Sequence, residues 1–228
     1  LFTTQSRFMA DVSHELRTPL TVIKGNLSLM RRMKEVDEES LASINEEVDR
    51  LTRLVGDLLM LAQAESGRLP LQLATVELDG LLLDVVQQLQ PLAGDRRLVV
   101  SEIDEVQLVG DRDRLRQVLL NLIGNAIQHS PSGSKVMLRL SRDENFSHLE
   151  VADTGPGIPA DDLPHIFERF YRGERSRKRG PGTGFGLGLS IAYWIVANHG
   201  GSIDVQTHEG NGTTFTVNLP LKGPQTTG

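Results

Sequence analysis

Ser13-His14-Glu15-Leu16-Arg17-Thr18-Pro19 brings an imidazole, a carboxylate and a hydroxyl close together in the chain. Apolar residues recur at Met9, Val12, Leu16, Leu20, Ile23, Leu27 and Met30 in steps of three or four, the seam of a helix that packs on other helices. At about 100° per residue, His14 falls on the face opposite that seam, and Thr18, one turn later, falls beside it. Pro19 lies inside the same pattern, where it cannot donate to the carbonyl of Glu15 and its ring presses on that turn. The helix should therefore bend just after the histidine. A lone histidine on a bundle helix is ordinarily a surface residue. One with an adjacent carboxylate, a neighbouring hydroxyl and a helix distortion is a candidate nucleophile.

Two glycine-rich stretches offer a second chemistry. Asp153-Thr154-Gly155-Pro156-Gly157 follows an alternating strand pattern, and Gly182-Thr183-Gly184-Phe185-Gly186-Leu187-Gly188 runs into a helical one. Neither has the Walker or Rossmann spacing. The second could be a plain flexible linker. Glycines at alternate positions before a helix nevertheless leave backbone N–H groups free to approach a phosphate, where the helix dipole favours negative charge. Asp153 could accept a hydrogen bond from an exocyclic amine, as a residue selecting adenine would. Asn121 and Asn125, four apart, project from one face of a helix, and beside a phosphate site they suggest a hard oxygen ligand for Mg2+. Between the glycine stretches, Phe167-Glu168-Arg169-Phe170-Tyr171-Arg172 precedes a basic run from Arg175 to Arg179. That segment reads as a mobile lid, with Phe167 and Phe170 pinning it and Arg169 or Arg172 meeting the nucleotide.

These residues need two kinds of scaffold. A second apolar series at Leu41, Ile44, Val48, Leu51, Val55, Leu58 and Ala62, after a polar turn from Lys34 to Glu39, makes an antiparallel helical hairpin with the first helix. Each helix is roughly 40 to 45 Å long at 1.5 Å per residue. Two helices alone cannot surround so much apolar surface, so the hairpin is expected to pair with a second copy as a four-helix bundle. Gly67 and Pro70 mark a boundary between residues 1–67 and a second domain, 68–222. There the pattern gives a strand at 74–77, a helix at 78–92, and a hairpin of 98–103 with 106–109. A helix capped by Asp111 follows at 111–129, then strands at 135–141 and 148–152, a helix at 187–198, and strands at 202–207 and 213–219. The expected fold is an α+β sandwich, one mixed sheet with helices on one face, ending in a loose tail from Lys222.

Composition bounds the partners. The 228 residues are 39% hydrophobic and 24% charged, with a formal net charge of −6 and 4% aromatics, so neither a basic footprint nor stacking rings point to nucleic acid. No cysteine is present, which removes disulfides, thiolate catalysis and cysteine-based zinc sites. No apolar run approaches the roughly 18 residues of a membrane helix, so these residues are expected to be soluble. The sequence reads as a piece of a longer protein.

Taken together, the histidine box at His14, the asparagine box from Asn121 to Asn125, the Asp153 box, the Phe167–Phe170 segment, the Gly182–Gly188 run and the terminal Gly210-Asn211-Gly212-Thr213 resemble the cytoplasmic catalytic core of a bacterial sensor histidine kinase. The likeness runs from Phe8 to Pro220. It implies a dimerisation and phosphotransfer hairpin followed by an ATP-binding domain of the Bergerat type. By that resemblance His14 takes the γ-phosphoryl group of ATP and Glu15 acts as general base. Asn125 is the Mg2+ ligand, Asp153 reads adenine, and the phosphoryl group passes to an aspartate on a response regulator. Thr18 would orient the water that later removes it. The same resemblance implies nucleotide contacts from Asn121, Gln128, His129, Gly155, Gly157, Arg169, Arg172, Gly182, Thr183, Gly184, Gly186, Leu187, Gly188 and Thr213. It also implies a homodimer, a receiver-domain partner, and membrane contact only through an upstream part of a protein anchored in the inner or plasma membrane.

At one place the chain departs from the pattern: where such kinases often carry a lysine and a tyrosine, it has Gln128 and His129. Charge neutralisation then falls more heavily on Mg2+ and the lid arginines. Two other readings of the same fold are an ATP-hydrolysing conformational clamp and an inactive nucleotide-binding scaffold. The clamp needs an acid where this chain has Asn121, and an amide cannot serve as that base. The scaffold would be expected to lack His14, Asn125 or the glycines, all of which are present.

Overall fold

The computed structural model describes residues 2–33, 36–65, 71–173 and 184–224. The chain divides into two compact units, Leu1–Leu69 and Pro70–Gly228.

The first unit is a hairpin of α1 (Phe2–Met33) and α2 (Glu38–Glu65). Asp37 starts α2 by accepting the Ser40 amide hydrogen at 2.7 Å, an acidic cap for backbone donors that have no partner inside the helix. Between the helices, Asn26 Nδ2 donates to Ser43 Oγ at 3.0 Å. α1 continues as a helix through Pro19, which is buried. Part of the apolar pattern stays uncovered within one chain. Leu20 and Leu27 on α1, with Leu41, Val48, Val55 and Leu59 on α2, are all exposed, as expected when two helices alone share a bundle seam.

The second unit begins with β1 (Ala74–Glu77), α3 (Leu78–Leu89), β2 (Arg97–Ile103) and β3 (Gln107–Gly110). It continues with α4 (Arg112–His129), β4 (Lys135–Arg142), β5 (Phe146–Asp153), α5 (Gly188–Asn198), β6 (Ser202–His208) and β7 (Gly212–Pro220). Five strands form a sheet in the order β2-β4-β5-β7-β6, with β2 parallel to β4 and the other pairs antiparallel. Alternation does the rest. Val136, Leu138, Leu140, Leu149, Val151, Phe215 and Val217 bury one face. That side carries the helices, whose buried residues include Leu82, Val85, Leu119, Leu122, Ile191 and Ile195. The other face is polar, with Arg139 paired to Glu102 at 2.5 Å and Glu150 at 3.7 Å.

Four expectations are corrected. The strands around Asp104-Glu105 do not form a hairpin, and there is not one sheet but two. β3 pairs antiparallel with β1 in a separate ribbon, while β2 pairs with β4. The backbone explains it: Asp104 N donates to Leu140 O at 2.9 Å, continuing along β4, and two residues later Val106 O accepts from Leu78 N at 2.8 Å. The chain thereby leaves the sheet and turns toward the start of α3. The helix expected to reach residue 92 ends at Leu89 and tightens into a 3-10 turn, Gln90–Ala93, because Pro91 has no N–H to continue the ladder. Finally, the chain is not loose from Lys222. Leu221 O accepts from Val109 N at 3.0 Å and Gly223 is buried beside Val109; residues 225–228 lie outside the described residues.

No described helix is long and apolar enough to cross a membrane.

Candidate phospho-acceptor and nucleotide sites

On α1 the imidazole of His14 and the hydroxyl of Thr18 are exposed and Glu15 is half-buried. Hydroxyls further along α1 fold back on the helix, Thr21 donating to Arg17 O at 2.8 Å and Ser28 to Lys24 O at 2.7 Å. Thr18, one turn after His14, is exposed as the imidazole is.

In the second unit Asp153 ends β5, buried, and its Oδ1 accepts the Gly155 amide hydrogen at 2.7 Å. Burial pushes its carboxyl above the ordinary carboxylate range, against the pull of the Gly155 and Thr213 N–H groups. Thr213 sits opposite Asp153 across the β5–β7 ladder. Its hydroxyl lies 3.1 Å from that of Thr207, which also donates to Gly212 O at 3.1 Å and accepts from Ile158 N at 2.9 Å. Thr207 is thus a member of this cluster that sequence reasoning missed; its register opposite Thr213 in the β6–β7 hairpin was the available signal. Gly155 is required by close approach, since a Cβ there would come within 2.6 Å of His129 O. The last residue of α4 is thereby brought against the Asp153 turn. Gly157 abuts His208 O, and Gln128 and His129 are both half-buried.

Asn121 and Asn125 are half-buried on α4. Their environments differ: Asn121 Nδ2 donates to Gly188 O in the first turn of α5 at 3.0 Å, so that amide is engaged with protein. Asn125 carries the neutral oxygen suited to a hard cation. Among the described residues no three His, Asp or Glu side chains converge to hold a metal. A Mg2+ at Asn125 would accordingly take most of its shell from phosphate and water, the habit of that ion.

The segment before α5 is anchored in two ways. The Phe167 ring packs on Tyr193 of α5 with centroids 5.1 Å apart, and Tyr171 OH donates to Asp162 Oδ1 at 2.5 Å. Phe170 has φ +59, a left-handed backbone rare for a residue with a side chain. Gly186, at φ +73, lies against it, and a Cβ there would meet Tyr171 O at 2.7 Å. Phe185 and Leu187 are buried, while Gly184 is exposed. Arg169 and Arg172 are half-buried in this segment. Gly182, Thr183 and the basic run 175–179 lie outside the described residues.

At the other ends of α4 and α5 sits a polar cluster. Asp111 Oδ1 caps α4 through the Asp113 and Arg114 amides, each at 3.1 Å, and its Oδ2 accepts from Gln72 N at 2.9 Å. Asp111 N in turn donates to Nε2 of His199, buried just beyond α5. Asp111 was readable as a cap; its partner, 88 residues away, was not.

A two-layer domain with helices on one face of a mixed sheet, an asparagine of α4 bonded to Gly188 at the start of α5, and a buried Asp at a strand end fit an ATPase-type nucleotide site, here joined to a helical hairpin displaying a histidine. Residues 110–223 match the family described as histidine kinase-, DNA gyrase B- and HSP90-like ATPase, and residues 4–67 match the His Kinase A (phospho-acceptor) domain. The chain belongs to the sensor histidine kinases. It is 41% identical over 223 residues to the probable sensor histidine kinase TcrY of Mycobacterium tuberculosis, covering 96% of this chain and 46% of that protein. The chain spans about half the length of the curated relatives it matches. Among solved structures, Acinetobacter baumannii histidine kinase AdeS superposes with a TM-score of 0.75 at 27% identity, over 91% of this chain and 98% of that one. Histidine kinase ThkA in complex with response regulator protein TrrA gives a TM-score of 0.73 at 26% identity, over 97% of this chain and 63% of that one.

Proposed function

We propose that this core uses ATP to phosphorylate its own His14 and passes the phosphoryl group to an aspartate of a response regulator. The observation that carries the reading is the exposed His14, with Glu15 and Thr18 beside it, on the hairpin of a chain whose second unit holds the nucleotide site. A ring nitrogen of His14 bonds to the γ-phosphorus as the bond from that phosphorus to the ADP oxygen breaks, and Glu15 accepts the ring proton. Asp153 orients adenine through its exocyclic amine. Arg169 and Arg172, both half-buried, would offset phosphate charge, a task enlarged by Gln128 in place of a lysine. Mg2+, held by Asn125, would supply further neutralisation of the phosphates when bound. The ThkA–TrrA complex supports a receiver-domain partner. A homodimer formed through the exposed stripes on α1 and α2 is supported by their unpartnered leucines and valines. We place the core in the cytoplasm, where ATP is found and a chain without cysteine is at home, with sensing assigned to the rest of the protein.

The clamp reading loses ground on a specific contact: Asn121 is an amide, and its nitrogen is already bonded to Gly188 O, leaving no base for water at that position. Incubation with γ-labelled ATP tests the proposal. A single label at His14, lost in acid, stable in alkali and absent in His14→Gln, is expected. An acid-stable label, or one that persists in that variant, would overturn it.

A further inference from the structure

α4 and α5 carry the two halves of the nucleotide site, the asparagines on one and the end of the glycine run on the other. α5 is hooked to α4 at both of its ends, to the middle of α4 through Gly188 and to its N-cap through His199. At the site end Asn121 Nδ2 holds Gly188 O at 3.0 Å. At the far end the ring of His199, 1% exposed, lies 2.8 Å from Ile195 O through Nδ1 and 3.0 Å from Asp111 N through Nε2. Since a carbonyl can only accept and an amide N–H can only donate, the ring is neutral with its proton on Nδ1.

We propose that His199 is a positioning residue for the nucleotide: fixed between Ile195 O and the Asp111 N–H, it sets where α5 lies along α4 and so keeps Gly188 in place under the Asn121 amide. Packed helices move as stiff bodies, and a small slide at one end of the pair is felt at the other. Space allows little else. The ring lies so near Gly110 of β3 that a Cβ there would stand 3.2 Å from His199 Cδ2, so only a glycine leaves it ordinary room on that side. The plain alternative is a satisfied core histidine that contributes stability and nothing to the site.

Protonation separates the two. Burial holds the ring pKa below its ordinary 6.5, opposed by the Ile195 carbonyl and by the charge of Asp111. Among the described residues Asp111, on the N-cap of α4, is the charged group acting on the ring; β3 meets it with Gly110 and α5 with a backbone carbonyl. A proton gained at Nε2 would remove the acceptor and set N–H against N–H. Stability from this contact is therefore full above pH 6.5 and is lost as pH falls through the depressed value.

The test uses the whole chain and MgATP as probe, titrated calorimetrically well below the melting temperature. His199→Gln can return an oxygen near the Nε2 position, whereas the shorter His199→Asn reaches only the Nδ1 position. The asparagine variant should bind MgATP about tenfold more weakly, the worth of one buried hydrogen bond, and the glutamine variant within about threefold of wild type. Wild-type affinity for the asparagine variant, even with a lowered melting temperature, would overturn the proposal, and so would equal weakening in both. If neither variant folds, the wild type decides by reciprocity. MgATP should push the titration of the Nδ1-protonated histidine, followed by nitrogen NMR, to lower pH; an unmoved titration would overturn the proposal. The proposal rests on the kinase reading only in taking ATP as ligand. Failure of His14 to become labelled while MgATP still binds strikes that reading and not this one.

Discussion

Asp153 Oδ1 accepts the Gly155 amide hydrogen at 2.7 Å while the carboxylate itself is buried. One oxygen is thus committed to the turn, and the group's charge is retained at a desolvation cost.

Asp153→Asn separates those two features. The amide oxygen can keep the Gly155 contact, but an N–H now faces the adenine amine that the carboxylate would accept from. ATP affinity should fall by more than about tenfold, as when a site loses a required polar partner. Thermal stability should hold or rise, because a buried charge has gone. The wild-type pH profile follows from the raised pKa. The folded state takes the proton before the unfolded chain does, so the cost of burying the charge is full at neutral pH and is relieved as pH falls through the raised value. ATP affinity should be lost over that same range. Calorimetric titration and melting curves against pH read both.

Asn125→Ala should abolish His14 labelling by removing the side-chain oxygen proposed to hold Mg2+. Binding of ADP in the presence of chelator should change little. Equal Mg2+ dependence in the variant and the wild type would show that the metal is held elsewhere.

Thr18→Ala tests the exposed hydroxyl. Because Thr18 is exposed, the substitution should leave autophosphorylation and phosphotransfer near wild type. Loss of phosphate from the response regulator should slow, on the order of tenfold or more, as befits a residue that positions water. Parallel losses in all three rates, measured on one preparation, would assign Thr18 a structural role.

Gly186→Ala puts a side chain on a φ of +73 with its Cβ 2.7 Å from Tyr171 O. A cost of roughly 1–3 kcal/mol is expected from such a backbone, together with weaker nucleotide binding as the Phe170–Tyr171 backbone is pushed off. Gly184→Ala is the control, since nothing lies within 4 Å of its Cβ position. Chemical denaturation compares the two.

Much of this was legible because it is local. The periodicity of α1, α2 and α4, the Asp111 cap and the Asp153 and Gly186 turns each depend on residues a few positions apart. What escaped is non-local. No pattern in 97–110 reveals that β2 will pair with β4 rather than β3. Asn121 finds Gly188 across 67 residues and Asp111 finds His199 across 88. Spacing put Asn121 and Asn125 on one face, but only the fold shows that the Asn121 nitrogen is bonded to Gly188 O.

The parallel pairing of β2 with β4 has a consequence for how the domain assembles. Parallel neighbours cannot be joined by a tight turn, so the chain must climb out of the sheet and return, and α4 lies on that crossover. The helix bearing Asn121 and Asn125 is therefore also the stitch that brings the edge strand home. Damage to the inward face of α4, where Leu115, Leu119 and Leu122 are buried, is therefore expected to weaken the covering of the sheet along with the site.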